Sequence, residues 1–486
     1  MKIPLSYSLI DEGGNKVAGG EASARLNDES LAILPYLGEV LFFAHKDILK
    51  TSAHDYKIEL TLSSKEKLLL SDLGYKYEDF IRSLTKLRND MLVKELLMNE
   101  SIKKAGMEAE FVYFDSSRCP SGQAGKEIQK GKCEPRLYDT GIVILPDTGD
   151  FIRIPYSDIA EIKEQDYSLI VTNMLGDRII FSKMGTRFDS FKSAISDILN
   201  DLFLKVQMSL SQLLPRANPA HIRKAARFMK EGQVARRSDI ESVSPQLWID
   251  LEKKLETIGM NERYNFLRPL GQEQKLCIGL KRGLMGDLTG DYIWFLVPIY
   301  SINPKAPGNA VVIEAAASVG GGKATYCFRI TSRTVYHNFS KIEDLHNEVD
   351  AFIRKMNRCM LAVNFRREPI YLSAEKLEEP QYQKYKTAVT KIPELQLLRE
   401  LFIGRIIHSS PEQWKEDVMN LLNFNVTTTD NSLKWKRQGG ELPEPELEIT
   451  PEESPAVNPD AAQNPVPGMS NKTTDPLNKD DIDEEE

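Results

Sequence analysis

Two stretches near the start of the chain share one order of hydrophobic and polar positions. In each, alternating apolar residues predict strands beside a glycine turn, as in LAILP before Gly38 and IVILP before Gly149. Farther along, DYSLIVTN and DRIIFSK predict a hairpin around Gly176. The apolar spacing then becomes helical, so each stretch should end in an amphipathic helix packed on an antiparallel sheet. The predicted apolar helix faces are formed by Tyr77, Phe80, Leu84, Leu87 and Met91, and by Phe188, Phe191, Ile195, Ile198 and Leu202.

The two stretches are copies of one unit. They align without a gap at an offset of 111 residues, which places Arg25 on Arg136. Over residues 25–94, eighteen of seventy positions are identical to their counterparts, whereas unrelated sequences would give roughly four. The sequence therefore predicts two repeated modules, at residues 1–105 and 106–215.

The phrase GIVILP…GDFIRIPYSDI…DYSLIVTN…DRIIFS…FDSF resembles the core of pleckstrin-homology-like (PH-like) and GRAM-like domains. The resemblance covers residues 1–210. It implies two β-barrel or β-sandwich modules, each closed by a C-terminal helix. Members of this superfold bind phosphoinositides, peptides or other proteins, so the resemblance implies binding without choosing a ligand.

The rest of the chain has a different pattern. Residues 216–262 are helical and are predicted to form a linker, and residues 263–424 are predicted to form an antiparallel α+β domain with a helical C-terminal cover. Its strands are expected in QKLCIGLK, DYIWFLVPIY, AVVIEAAAS and KATYCFRIT. Helices are expected from Ile342 to about Met360, at 394–408 and at 412–422. The fold class predicted for the whole chain is α+β.

The composition predicts a disordered C-terminal tail and a cellular compartment. From Gly439 to Glu486, fourteen Asp and Glu stand against two Lys, a net charge of −12 in a Pro-rich segment without aromatic residues. We expect residues 425–486 to form a disordered acidic tail. Five cysteines without a CxxC pair suit a reducing compartment. No run is long enough to cross a membrane and no secretory leader is expected, so we predict a cytoplasmic protein.

The catalytic and cofactor-binding motifs that we considered are incomplete or absent in the sequence. The segment SVGGGKA at 318–324 departs from a phosphate-binding loop, because Ala317 replaces its first Gly and Ala324 replaces its Ser or Thr. Six histidines form neither HxH nor HExxH, and no GxSxG is present. We predict no catalytic residues, no metal site, no cofactor and no nucleic-acid partner.

Two groups of residues remain as candidate sites. The predicted loop between the first two strands of module two is basic, with Arg118, Lys126, Lys130 and Lys132 as candidate ligands of an anionic lipid head group or a phosphate. In the α+β domain, a two-residue turn at Gly321–Gly322 would place Glu314 opposite Arg329 as an ion pair, with Lys323 and Thr325 nearby.

The function expected from the sequence is non-enzymatic. The favoured hypothesis is a scaffold whose tandem PH-like modules bind protein partners. The alternative is a peripheral membrane protein that binds anionic head groups through the basic loop of module two. A remote alternative is an enzyme with its site in the α+β domain.

Overall fold

The computed structural model describes residues 2–96, 102–115, 125–281, 292–303, 308–317, 324–362, 368–428, 430 and 432–437. Within these ranges the chain is α+β, with two curled antiparallel sheets and a third antiparallel sheet covered by helices. No helix in the described ranges is long and apolar enough to span a bilayer. The tail from Gly439 onward, predicted to be disordered, lies outside them.

Module one is a seven-stranded sheet closed by helix α1, Tyr77–Leu96. The sheet order is β4-β3-β2-β1-β7-β6-β5, and neighbouring strands are antiparallel. Apolar side chains of the sheet and of Phe80, Ile81 and Leu84 on α1 form one core. The strands are β1 Ile3–Ile10, β2 Lys16–Leu26, β3 Ser30–Pro35, β4 Leu41–Ala44, β5 Ile48–His54, β6 Lys57–Leu62 and β7 Lys67–Ser71.

Module two repeats this arrangement. Its sheet order is β12-β11-β10-β9-β15-β14-β13, with the short β8 paired to β10, and helix α2, Phe188–Leu213, closes it. The core lies between the sheet and the predicted stripe of α2. The strands are β8 Ile102–Lys104, β9 Ala109–Asp115, β10 Lys126–Tyr138, β11 Gly141–Pro146, β12 Ile152–Pro155, β13 Ile159–Gln165, β14 Ser168–Asn173 and β15 Arg178–Ser182.

The backbone follows the 111-residue offset more closely than the side chains do. Left-handed residues, with positive φ, recur in pairs at that offset. Asp55–Tyr56 and Asp166–Tyr167 both have two successive positive φ angles, as a type I′ hairpin turn requires. Asp55 and Asp166 therefore occupy equivalent hairpin turns in the two modules. The other pairs are Gly20/Gly131, Gly38/Gly149, Lys65/Gly176, Asp72/Lys183 and Gly74/Gly185.

The third sheet has helices on both faces, and its strands are in chain order: β16 Val234–Arg236, β17 Cys277–Lys281, β18 Tyr292–Ile299, β19 Ala310–Ala317, β20 Ala324–Phe328 and β21 Phe402–Ile407. The end of α2, helices α3 to α6 and α13 cover one face, and α8, α9, α11 and α12 cover the other. The helices are α3 Pro219–Ala225, α4 Arg237–Val243, α5 Pro245–Thr257, α6 Asn261–Leu267, α7 Arg333–Tyr336, α8 Ile342–Ala362, α9 Glu368–Tyr371, α10 Ala374–Leu377, α11 Gln383–Lys391, α12 Pro393–Leu401 and α13 Pro411–Thr427.

Three boundaries differ from the sequence expectations. Residues 216–262, expected as a linker, supply β16 and one helical layer of the third sheet, because their apolar stripes pack against it. The helix expected at 394–408 ends at Leu401, and Phe402–Ile407 pairs with β20 as a strand. The tail expected from 425 begins later, since α13 continues to Thr427 and the backbone N–H of Trp435 donates to the Ile403 carbonyl at 2.8 Å.

Candidate functional site

The basic residues predicted in module two belong to a strand rather than a loop. Lys126, Lys130 and Lys132 lie on β10, whose pairing with β9 already begins at Lys126, and all three are exposed. Lys130 Nζ lies 2.8 Å from Glu127 Oε1, and this hydrogen bond raises the pKa of the Lys130 ammonium. Arg118, the fourth candidate, lies outside the described residues. The three lysines therefore form an exposed row whose central charge is paired.

The predicted pair of Glu314 and Arg329 is wrong in register. Glu314 lies opposite Thr325. Arg329 lies beyond the end of β20, where its backbone N–H donates to the Leu401 carbonyl at 2.7 Å. The pairing differs by four residues from the one that a Gly321–Gly322 turn would impose. Successive glycines permit several turns, so they do not fix register by themselves. Lys323 lies outside the described residues.

Glu314 instead joins a buried polar network. Thr325 Oγ1 donates to Glu314 Oε2 at 2.6 Å and accepts from the Trp414 indole N–H at 2.7 Å, while His408 Nε2 lies 2.8 Å from Glu314 Oε1. A buried carboxylate is tolerated when it is hydrogen-bonded in this way. Neither Glu314 nor Thr325 has exposed surface. The network therefore links β19 and β20 of the sheet to α13.

A different site emerges where module two contacts module one. The turn that joins β11 to β12 lies against helix α1. Arg88 Nη1 donates to Asp150 Oδ1 at 2.6 Å, and Asn89 Nδ2 donates to the Gly149 carbonyl at 3.0 Å. Beside the turn, Arg136 Nη1 donates to Asp90 Oδ1 at 2.6 Å. Module one therefore binds an acidic turn through a cation, an amide and a second ion pair.

Arg88 is the centre of that contact. Its side chain is 1% exposed, and it also donates to the backbone carbonyls of Ile48 and Leu49 at the start of β5, each at 2.8 Å. Lys391 of the third domain donates to the same Leu49 carbonyl and lies 3.6 Å from Asp150. Desolvation opposes ionisation of Asp150, but the charges of Arg88 and Lys391 prevail and lower the pKa of its carboxyl.

The equivalent place in module two is open. A cavity of about 640 Å³ lies between β13, α2 and the segment 226–230 that follows α3, within the size range of ligand pockets. At the 111-residue offset, Leu199 replaces Arg88 and Asn200 repeats Asn89, and both line the cavity. Most of the other lining side chains are apolar or aromatic: Tyr156, Ile159, Ala160, Ile162, Leu202, Phe203, Val206 and Ala226.

Polar groups of the cavity match those of the occupied site. Lys230 Nζ donates to the Ile159 carbonyl at 3.2 Å, in the place where Arg88 meets the equivalent Ile48 carbonyl. Burial lowers the pKa of the Lys230 ammonium, against the opposing charge of Asp158. Arg227 and Glu161 also line the cavity, and both are exposed. Ser157 is buried, and its hydroxyl has no hydrogen-bond partner among the described residues.

Sequence reasoning did not find this site. The repeat alignment contained the identity of Asn89 with Asn200 and the exchange of Arg88 for Leu199, but identity alone did not show that Asn89 contacts a neighbouring module. Arg136 matches Arg25 in module one, and that match by itself suggests a role within each fold. Its bond to Asp90 instead joins the two modules. Among the described residues, no cluster of His, Cys, Asp and Glu is arranged to hold a metal ion.

Comparisons with known proteins do not name a family. No protein-family model matches the chain, and a search of curated proteins found no match. Among solved structures, the chain is similar to the C-terminal domain of an unknown protein from Leishmania infantum, with 13% identity over 23% of this chain and 96% of that domain, at a TM-score of 0.16. A similarity at this TM-score does not establish a shared fold.

Proposed function

We propose that the protein is a non-enzymatic scaffold whose tandem PH-like modules bind protein partners, and that module two holds an acidic turn of a partner in the cavity beside α2. The PH-like assignment is supported by the seven main strands and closing helix of each module, in the order that the sequence motif implies. The observation that carries the proposal is the occupied site of module one. In module one, Arg88 and Asn89, the counterparts of Leu199 and Asn200, bind the Gly149–Asp150 turn of the folded chain.

The cavity supplies an amide and a cation, as the occupied site does, and adds an apolar wall. Asn200 presents an amide for a backbone carbonyl, Lys230 and Arg227 present positive charge for a carboxylate, and the apolar wall accepts the flanking side chains. Hydrogen bonds between charged groups are the stronger ones at a partly buried site. Glu161 at the rim opposes a partner with several negative charges and favours one carboxylate over an acidic run.

The test uses the chain's own turn as a probe. A labelled peptide with residues 145–152, closed by added terminal cysteines, is titrated into the full protein and followed by fluorescence anisotropy. We expect binding that weakens roughly tenfold or more with Arg227→Glu, since removing a charge partner costs over ~1.4 kcal/mol at such contacts. Arg223→Glu, an exposed arginine of α3 that does not line the cavity, is the matched control and should bind normally. Equal binding by Arg227→Glu and Arg223→Glu would contradict the proposal.

Binding of anionic head groups through β10 is the alternative proposal. It is favoured by three exposed lysines on one strand beside Ile128, which is 49% exposed, and it is weakened by the pairing of Lys130 with Glu127. Sedimentation with phosphatidylserine vesicles separates the two proposals. Pelleting that is lost when Lys126, Lys130 and Lys132 become Glu, with peptide binding absent, would favour the membrane.

A further inference from the structure

The surface of α2 that corresponds to the docking face of α1 is uncovered. On α1, Asn89 and Val93 are buried beneath module two, and Val93 packs with apolar side chains of β10 and β11. Their counterparts on α2 are Asn200 and Leu204, both exposed, Leu204 to 55%. Asp201, the counterpart of Asp90, is also exposed and has no ion-pair partner in the described part of the chain.

Module one carries the complementary surface, also uncovered. Its turn between β3 and β4 contains Gly38–Glu39, which align with Gly149–Asp150 and keep both the left-handed glycine and the acidic residue. Arg25 aligns with Arg136 and is exposed. The turn is flanked by apolar side chains that face solvent, including Leu37 at 93% exposure and Tyr36 at 62%. Exposed apolar groups of this kind commonly mark a contact surface.

We propose that the partner is a second copy of this chain, whose module one docks on α2 as module two docks on α1 within the chain. This inference rests on the proposed function, because the Gly38–Glu39 turn would occupy the cavity of module two. Three polar contacts of the internal interface would then be repeated between chains. Arg25 would pair with Asp201, the Asn200 amide would donate to the Gly38 carbonyl, and Glu39 would meet Lys230 and Arg227.

The repeated interface is head-to-tail. Each chain offers one turn surface and one helix surface, and these are different parts of the molecule. Such heterologous contacts build a closed ring when the rotation between copies closes, and an open chain whose length rises with concentration when it does not. The Leu204 side chain would face Leu34 and Val40 of the second copy, the counterparts of Leu145 and Phe151 in the internal contact.

Sedimentation velocity of the full chain over increasing protein concentration tests the proposal. The unmodified protein should shift from monomer to larger species. Arg25→Glu and Asp201→Arg should each need roughly tenfold or more protein to associate, because each places like charges opposite one another. The double variant in one chain, and an equal mixture of the two single variants, should restore the large species. Arg187→Glu, an exposed arginine of module two outside this face, is the control.

The outcomes separate this inference from the proposed function. A chain that stays monomeric at every concentration yet binds the closed peptide through Arg227 would overturn self-association and leave the acidic-turn site standing. Association unaffected by either charge reversal would also overturn it. If the closed peptide does not bind but association still responds to the charge reversals, the acidic-turn site in the cavity is wrong and the Arg25–Asp201 contact stands.

Discussion

Module one and module two have the same strand order, the same closing helix and the same left-handed turn positions, yet they differ where the helix meets the sheet edge. In module one, Arg88 fills the space and binds Asp150. In module two, Leu199 leaves a cavity that Lys230 enters from outside the module. Backbone geometry was preserved between the copies because each core requires it, whereas the helix surface changed with its neighbour.

The two cations also differ in chemistry. The guanidinium of Arg88 bonds two carbonyls and a carboxylate at once, as its planar fork of donors allows. Lys230 presents a compact ammonium that bonds one carbonyl and is free to meet a further acceptor. The occupied site is therefore rigidly built into the fold, while the open one keeps unused donors for a ligand.

The sharpest test of this contrast exchanges the key residue. Arg88→Leu, which gives module one the residue of module two, should lower the free energy of unfolding by about 2–4 kcal/mol, because buried carbonyls and Asp150 lose their donors. Leu199→Ala borders open space and should cost about 1 kcal/mol or less. Urea unfolding of the full chain measures both. Similar losses at the two positions would mean that the cavity is not open in solution.

A second test uses pH on the occupied site. Burial, and then the charge of Arg88, lower the pKa of the Lys391 ammonium to about 8 from its usual 10.5. Between pH 8 and pH 10.5 the unfolded chain binds more protons than the folded one. The free-energy cost of keeping Lys391 charged in the folded protein is therefore relieved as pH rises. The unmodified protein should gain about 1–3 kcal/mol relative to Lys391→Met from pH 8 to 10.5. Parallel stability profiles for the two proteins would show that Lys391 is not buried beside Arg88.

The smallest expected effect comes from an identical residue in the two sites. Asn89→Ala removes a buried amide that donates to the Gly149 carbonyl, and should cost about 1–2 kcal/mol. Asn200→Ala removes an exposed amide and should cost less than about 0.5 kcal/mol in the monomer. Thermal unfolding at low protein concentration compares them. A large loss for Asn200→Ala under those conditions would place its amide in an intramolecular contact.

The sequence determined the repeat, the α+β class and most elements of both modules. Its periodicities reported which side chains face each module's own core, and a core within one module depends mainly on residues near one another in the chain. The strand Phe402–Ile407 escaped this reasoning, because a short apolar run that follows a helix without a break has no local signal for its end. The register of β19 with β20 escaped it as well, since adjacent glycines do not fix one register.

Only the tertiary structure decided what the repeated surface residues do. Arg136 and Asp90 lie 46 positions apart, and Arg88 and Asp150 lie 62 apart, so no local pattern links them. Their contacts exist because α1 packs on the neighbouring sheet, a choice made by long-range packing rather than by periodicity. The same packing leaves Leu199, Asn200 and Asp201 beside open space. Equal residues thus became an interface in one copy and a free surface in the other, because the copies have different neighbours.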